Sequence, residues 1–281
     1  GNLADTIAPL GLKPLKIFHA SKLDLLERYG IMYQYMSSQN LDQKIGNKFT
    51  KLSNFNEKAI SQFKTGSLLS FIAEKMSQEK FDQFLQGYFQ QNQHQIATAE
   101  DFLNGLSKAS NGDSEFLNSV INQRQRINLK LKSFKKDDQH FQLKIQKNTD
   151  LAIPFKVTAM NNENSESYWF NTTKNKRTEI FTIPNHEVKK ILVNDQYIFP
   201  ESNYRDNYIY TKGLFSNTKK IKFKLFEDIP NPEFNEIYLN PRLNFNAYDK
   251  VLLGLNFRNK SLFDQNFIYS VTPFYSTGTN T

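Results

Sequence analysis

The stretch Ala59-Ile60-Ser61-Gln62-Phe63-Lys64-Thr65-Gly66-Ser67-Leu68-Leu69 decides the first part of the fold. Ile60, Phe63, Leu68 and then Ile72 predict one helix from Glu57 to Met76 that buries those four side chains. Working outward, Ser21 with Asp24 gives a capping pattern, and Leu25, Tyr29, Met32, Tyr33 and Met36 share a helical face beyond it. After Ser77, the residues Phe81, Phe84, Leu85, Tyr88 and Phe89 recur at i, i+3, i+4, i+7 and i+8, an amphipathic stripe. Thr98-Ala99-Glu100-Asp101-Phe102 opens another helix through a second capping pattern, with Phe102, Leu103 and Leu106 facing inward. Asn111-Gly112 supplies a left-handed stop, and a last stripe runs through Phe116, Leu117, Val120, Ile121 and Ile127. An isolated amphipathic helix of this length is marginal in water, so these stripes need one another. They predict an α-helical bundle over residues 1–128.

From Leu129 the period changes to two. Phe141, Leu143 and Ile145 alternate with Gln142, Lys144 and Gln146. Short strands follow at Ile153 to Met160, Tyr168 to Asn171, Thr178 to Ile183 and Val188 to Val193. Polar turns such as Asn161-Asn162-Glu163-Asn164 separate them. Strands of this length and spacing predict a β-sandwich of immunoglobulin-like architecture over 129–205.

Residues 206–281 are β again, with longer alternations. Ile237, Leu239, Leu243 and Phe245 alternate with polar neighbours, as do Val251, Leu253, Leu255 and Phe257. Phe267, Tyr269, Val271 and Tyr275 continue the pattern. Two readings stand for this antiparallel tail: a sheet packed on its neighbours, or strands of an outer-membrane-type barrel, which are about ten residues long and aromatic-rich. Four such strands cannot close a barrel, which needs about eight.

The 281 residues can build more than one core. A hydrophobic fraction of 38% with 14% aromatics argues against wholesale disorder. No apolar run approaches the length of a membrane-spanning helix. Gly1 stands where an initiator Met would, with no signal-peptide pattern after it, so the sequence reads as part of a longer polypeptide. The absence of cysteine excludes disulfides and thiolate metal sites. A net charge of +8 and a pI near 9.3 permit an anionic partner. The lysines, however, alternate with apolar residues, as in Lys220-Ile221-Lys222-Phe223-Lys224-Leu225, which lines them along one solvated sheet face. No nucleic-acid motif accompanies them, and no nucleic-acid partner is expected.

No constellation of catalytic, cofactor-binding or metal-ligating residues is found. The histidines His19, His94, His140 and His186 are far apart. His186-Glu187-Val188-Lys189-Lys190 begins like the zinc motif H-E-x-x-H, but Lys190 occupies the second ligand position and the segment reads as strand or turn. Trp169 beside Tyr168 reads as core of the sandwich rather than as a binding platform, and Asp137-Asp138 reads as a turn.

The segment Phe63 to Leu69, with Lys80-Phe81-Asp82, Tyr88 and Thr98 to Phe102, resembles the downstream half of the aminopeptidase N family of gluzincin zinc metallopeptidases. In that family a Tyr-x-Lys-Gly helix start carries a catalytic tyrosine, and a Thr-x-Glu-Asp-Phe helix start follows it. Aligning on Gly66 puts Phe63 at the tyrosine position and Thr65 at the lysine position. Asn40-Leu41-Asp42-Gln43-Lys44-Ile45 is similar to a segment of a bacterial branch. Asn246-Ala247-Tyr248-Asp249-Lys250-Val251-Leu252-Leu253-Gly254-Leu255 is similar to one in the strand-rich tail of that branch. The resemblance implies a C-terminal portion lacking the H-E-x-x-H region, with zinc supplied only by upstream residues of the parent polypeptide. It also implies a chain that is not an enzyme by itself, a peptide substrate or ligand for the parent, and an exported, periplasmic or outer-membrane-associated setting. Membrane contact would run through 206–281. The family's tyrosine donates a hydrogen bond to the developing oxyanion, which Phe63 cannot do. Tyr29, Tyr33 and Tyr35 are the nearby hydroxyl carriers, although they precede the segment by some distance.

Overall fold

The computed structural model describes residues 23–110, 114–162, 164–195, 199–213, 219–227, 229–263 and 267–279. The Asn111-Gly112 stop, His19 and Ser21 lie outside these residues. Two compact units divide the chain, the larger being Leu26–Asn217, and the smaller holding the last strands. The architecture is helical followed by β, with the helices in chain order before the strands.

In the larger unit, α1 (Leu25–Ser38) is followed by the short α2 (Asn54–Asn56), a π-helical segment Glu57–Lys64 and α3 (Thr65–Met76). Then come α4 (Gln78–Gln91), α5 (Ala99–Ala109) and α6 (Ser114–Asn122). Ile60, Phe63, Leu68 and Ile72 are buried as their spacing requires. Thr98 and Asp101 form a reciprocal capping box at α5, the Asp101 carboxylate accepting from the Thr98 backbone N–H at 2.9 Å.

Two stripes fall differently from the sequence reading. On α1 the buried side chains are Ile31, Tyr33, Gln34, Met36 and Ser37, while Leu25 is exposed at the helix start. The rest of the predicted face holds, since Tyr33 and Met36 are buried and Tyr29 and Met32 pack against the cluster that α1 forms with Ala59, Ile60 and Phe63 of the π segment. On α4 only Phe81 is fully buried and Phe89 is exposed. The stripe there leans on α5 through Phe84 and Tyr88, whose rings lie 5.4 and 5.1 Å from Phe102.

Among the described residues of the larger unit, seven strands follow: β1 (Leu129–Lys136), β2 (His140–Lys147), β3 (Pro154–Met160), β4 (Ser165–Asn171), β5 (Thr178–Pro184), β6 (Lys190–Val193) and β7 (Tyr208–Tyr210). They pair as an antiparallel three-stranded sheet β1-β2-β5 and an antiparallel four-stranded sheet β4-β3-β6-β7. Because β7 pairs with β6, the second sheet reaches past residue 205. Inward side chains of both sheets, among them Leu143, Ile145, Val157 and Ile191, join one apolar core with Leu68 and Ile72 of α3 and Leu117 of α6. Phe71 is the hub, its ring 4.7 Å from Phe199, 5.3 Å from Trp169 and 6.4 Å from Phe116. Trp169 is accordingly packed against the core from β4.

Where the helices hand over to the sheets, the carboxylate of Glu201 is wholly buried. It accepts from the Leu129 N–H at 2.8 Å, from Asn194 at 2.7 Å and from Asn207 at 2.9 Å. Lys156 of β3 is paired nearby with Asp195 at 2.7 Å and with Glu74 of α3 at 2.8 Å.

The smaller unit is built of β8 (Lys220–Leu225), β9 (Phe234–Asn246), β10 (Lys250–Arg258), β11 (Ser270–Val271) and β12 (Phe274–Ser276). The β9–β10 hairpin explains the Asn246–Leu255 motif residue by residue. Asn246 Oδ1 accepts the N–H groups of Tyr248 at 2.9 Å and Asp249 at 2.6 Å. Lys250 takes a left-handed φ of 60° to close the turn. Gly254 lies under the Phe274 ring, where a Cβ would sit only 2.5 Å from the ring edge. The tail is not antiparallel throughout. β8 and β9 run parallel, with Phe223 opposite Ile237 and Leu225 opposite Leu239. The chain turns out of β8 at Phe226, φ 66°, and re-enters in the same direction after the prolines Pro230 and Pro232, which a tight two-residue hairpin would not allow.

Burial pushes the Glu201 carboxyl up to about 8, helped by neighbouring Asp206 and opposed by its three N–H donors. Folding therefore takes up a proton between the ordinary glutamate range and about pH 8. Stability is expected to be greatest in the acid part of that window, to fall as pH rises through it, and to level off above. Thermal melts from pH 5 to 9 should show this slope in the native chain and lose most of it in Glu201→Gln. An unchanged slope in the variant would assign the effect elsewhere.

Candidate functional site

The π-helical segment Glu57–Lys64 carries the residues that the family resemblance singles out. A π turn takes in more residues per turn than an α turn, and such segments are often found at functional sites. Here the wider turn keeps adjacent residues inward in pairs: Ala59 with Ile60, then Phe63 with Lys64. Phe63 is buried, its ring 6.1 Å from that of Tyr33. Of the tyrosines considered as hydroxyl carriers, Tyr33 is thus the one brought to Phe63, Tyr29 borders the same cluster and Tyr35 is exposed. The Tyr33 hydroxyl is held protonated well above its ordinary range, first by burial and then by Asp42. Thr65, at the lysine position, turns its hydroxyl back onto the Ile60 carbonyl at 3.0 Å, closing the π turn.

Lys64 is the residue that the sequence reading missed. Its Nζ is buried 5.2 Å from the centre of the Tyr33 ring and donates to the Gln125 carbonyl at 3.2 Å. Burial pulls its pKa down to about 8, against the opposing attraction of Asp42. On either side of Gln125, Arg124 and Arg126 close on Asp42 Oδ1 at 2.8 and 2.7 Å. One buried carboxylate therefore gathers two guanidinium groups, with a lysine beside them, and ties the α1–α2 connection to the strand entry after α6.

The segment Asn40 to Ile45 serves this bracket. Asn40 adopts φ 64°, which aims its carbonyl and side chain at the two arginines. Gln43 bonds the Lys51 carbonyl and the Ser53 N–H, both at 3.0 Å, and Asn56 donates to the Leu41 carbonyl at 3.0 Å. In front of it opens a cavity of about 870 Å³ walled by Met32, Tyr35, Met36, Leu41, Leu52 and Phe55. Its walls suit an apolar side chain, and Phe63 does not line it.

The remaining sequence candidates lie apart. His186 is exposed in the turn before β6, with Glu187 at φ 53°, and its Nδ1 meets Glu166 at 2.9 Å. His140 is exposed beside Asp137 at 3.7 Å, and His94 is exposed. The Asp137 carboxylate accepts the N–H groups of Gln139 and His140, so Asp137-Asp138 forms a turn. Among the described residues no group of three or more His, Asp or Glu is placed to hold a metal ion. Lys64 had one legible signal, its place beside Phe63 in the buried pairs of the helix. Arg124 and Arg126 had none, since their partner is distant in sequence.

The sequence model of the Peptidase family M1 domain matches residues 17–124, the segment that carries the helices, the π turn, Asp42 and Arg124. That segment is related to the M1 aminopeptidase family. Aminopeptidase A of Legionella pneumophila, solved in complex with aspartic acid, is similar in structure over 60% of this chain, at 15% identity and a TM-score of 0.46. The chain spans 21% of that protein's length. No curated protein matches the sequence.

Asp42→Ala would strand Arg124 and Arg126 without their shared counter-charge. The partly solvated guanidinium groups soften the loss, so about 2 kcal/mol of destabilisation is expected in urea titration. A loss below about 0.5 kcal/mol would reduce the bracket to a surface contact. Gly66 faces open space within a helix. Gly66→Ala should therefore stabilise the chain by roughly 0.5–1 kcal/mol, and a lowered melting temperature would show that the site needs glycine for another reason.

Proposed function

We propose that this chain is the C-terminal, non-zinc-binding part of an aminopeptidase N-like metallopeptidase. Its helices form a wall of the substrate cavity, and the strands from Leu129 to Tyr210 form a bracing sandwich of immunoglobulin-like architecture. The observation that carries this reading is the M1 family match over residues 17–124, which contains the π turn with Phe63 and Thr65 at the family's tyrosine and lysine positions. The sandwich reading is supported by strand grouping. β1, β2 and β5 pair in one sheet and β3, β6 and β7 in the other, as A, B, E and C, F, G do in immunoglobulin-like domains, with β4 beside β3. The partner is the rest of the parent polypeptide, which brings the zinc ligands, and the setting is the cell envelope of a bacterium.

A second reading has its own observation. Phe63 has no hydroxyl and Thr65 is turned inward, so an intact protein with this segment could keep the peptidase shape as a non-catalytic envelope module that holds a peptide. Zinc content and aminopeptidase turnover of the intact polypeptide separate the two. On the peptidase reading it holds one zinc through residues outside these 281, and Phe63→Tyr raises turnover by about 10²-fold, the worth of one oxyanion donor. An intact protein without zinc supports the scaffold. Zinc ligated within residues 1–281, or high turnover indifferent to both Phe63→Tyr and Tyr33→Phe, contradicts the peptidase reading.

A further inference from the structure

The third sheet wears its apolar face outward. In β2 the alternation is the ordinary one, with Phe141, Leu143 and Ile145 buried and His140, Gln142 and Lys144 exposed. In β8–β12 it is reversed. Every buried residue of these strands, Glu236, Tyr238, Asn256 and Ser276, lies on the face that also carries Lys220, Lys222, Lys224, Arg242, Lys250 and Arg258. The groups there bond one another: Lys224 to Glu236 at 2.8 Å, Tyr238 to Glu236 at 2.8 Å, and Asn256 to Ser270 and Thr272 at 2.8 and 2.7 Å.

The opposite face is continuous and apolar. Strand register sets Phe245 against Val251, Leu243 against Leu253, Pro241 against Leu255 and Leu239 against Phe257. Phe223 and Leu225 extend it from β8, and Val271 and Tyr275 from β11 and β12. None of these residues is buried, and Leu243 and Phe245 are 73% and 74% exposed. Among the described residues no charged side chain enters this face, whereas a protein interface would carry a polar rim. Patches of this kind mark an interaction surface.

We propose that this face is seated in the hydrocarbon of a lipid bilayer, the charged face of the same sheet being turned away from lipid. The dimensions fit. β10 is 9 residues long, bounded by Lys250 and Arg258. At about 3.4 Å per residue and a tilt near 45°, its height is roughly 22 Å, close to the apolar band of about 25 Å on membrane barrels. Phe245 and Tyr248 stand at one end of the hairpin and Phe257, Phe267 and Tyr269 toward the other, where barrels place aromatic girdles. An open sheet edge cannot stand in hydrocarbon. The outer edges of β8 and of β11 and β12 are therefore completed at depth by further strands, from the same polypeptide or from copies of it. The inference rests on the sheet alone and is independent of the peptidase reading.

The 281 residues contain no cysteine, so single thiols can be introduced cleanly. In the intact polypeptide, with any thiols outside this chain replaced by serine, Leu243→Cys, Phe245→Cys and Leu253→Cys are compared with Arg242→Cys and Asn244→Cys. Each carries a nitrobenzoxadiazole label and is reconstituted in phosphatidylcholine vesicles with chain-brominated lipid. Lipid quenching about threefold deeper at 243, 245 and 253 than at 242 and 244 is expected from the alternation. Equal quenching at all five, or no association with vesicles, overturns the proposal. So does a lipid-free dimer in sedimentation that protects thiols 243 and 253, which would make a second copy the occupant. As an independent arm, Leu253→Arg should weaken vesicle partitioning roughly 30-fold or more. Unchanged partitioning would count against a lipid-facing Leu253, and if that variant fails to fold, the thiol series decides.

Discussion

The larger unit depends on one constraint: α3 to α6 and its two sheets share one core, while α1 and the π segment pack in a smaller cluster of their own. Phe71 on α3 reaches the ring of Phe199 at 4.7 Å and that of Trp169 at 5.3 Å, so one aromatic group serves a helix, a strand and a loop. Truncating a buried phenylalanine of this kind costs several kcal/mol, a large share of a typical domain's stability. The buried polar groups gather at the same joint. Glu201 holds Leu129, Asn194 and Asn207 together, and Lys156 bridges Glu74 to Asp195. Apolar packing supplies the attraction, and these directional bonds fix the angle at which α3 meets the sheets.

That arrangement bears on the region related to M1 peptidases. Phe63 and Lys64 sit one helical stretch before Phe71, on the same rod; Lys64 reaches the Gln125 carbonyl between the two arginines of the Asp42 bracket, and Asn56 at the rod's start bonds the Leu41 carbonyl. The π turn is thus held at both ends. Phe71, farther along the rod, belongs to the core shared with the sheets, so the position of the turn is coupled to them.

Much of this was legible in the chain itself. The stripe Ile60, Phe63, Leu68 and Ile72, the Thr98–Asp101 capping box and the alternation of Phe141, Leu143 and Ile145 are local patterns, and local geometry determines them. What escaped reading depends on distant partners. That α1 packs on the π segment through Tyr33 was not readable, since no local period encodes that neighbour. Lys64, Asp42 and Glu201 are ionisable residues whose burial is tolerated only because donors and acceptors, several of them far along the sequence, meet them. The parallel pairing of β8 with β9 depends on the path through Phe226 and two prolines rather than on hydrophobic order. Alternation in the tail was visible from sequence, yet which side faced out was not, since a period of two is blind to the sign of its faces.

Gly254 shows how much can hinge on a missing methyl group. The Phe274 ring lies so close over it that alanine would lift the aromatic lid and loosen the three-residue strand clipped along β10. That strand shields part of a backbone rim that would otherwise offer hydrogen bonds to any passing chain. A single hydrogen atom at this position thus lets the short β12 lie closely along β10.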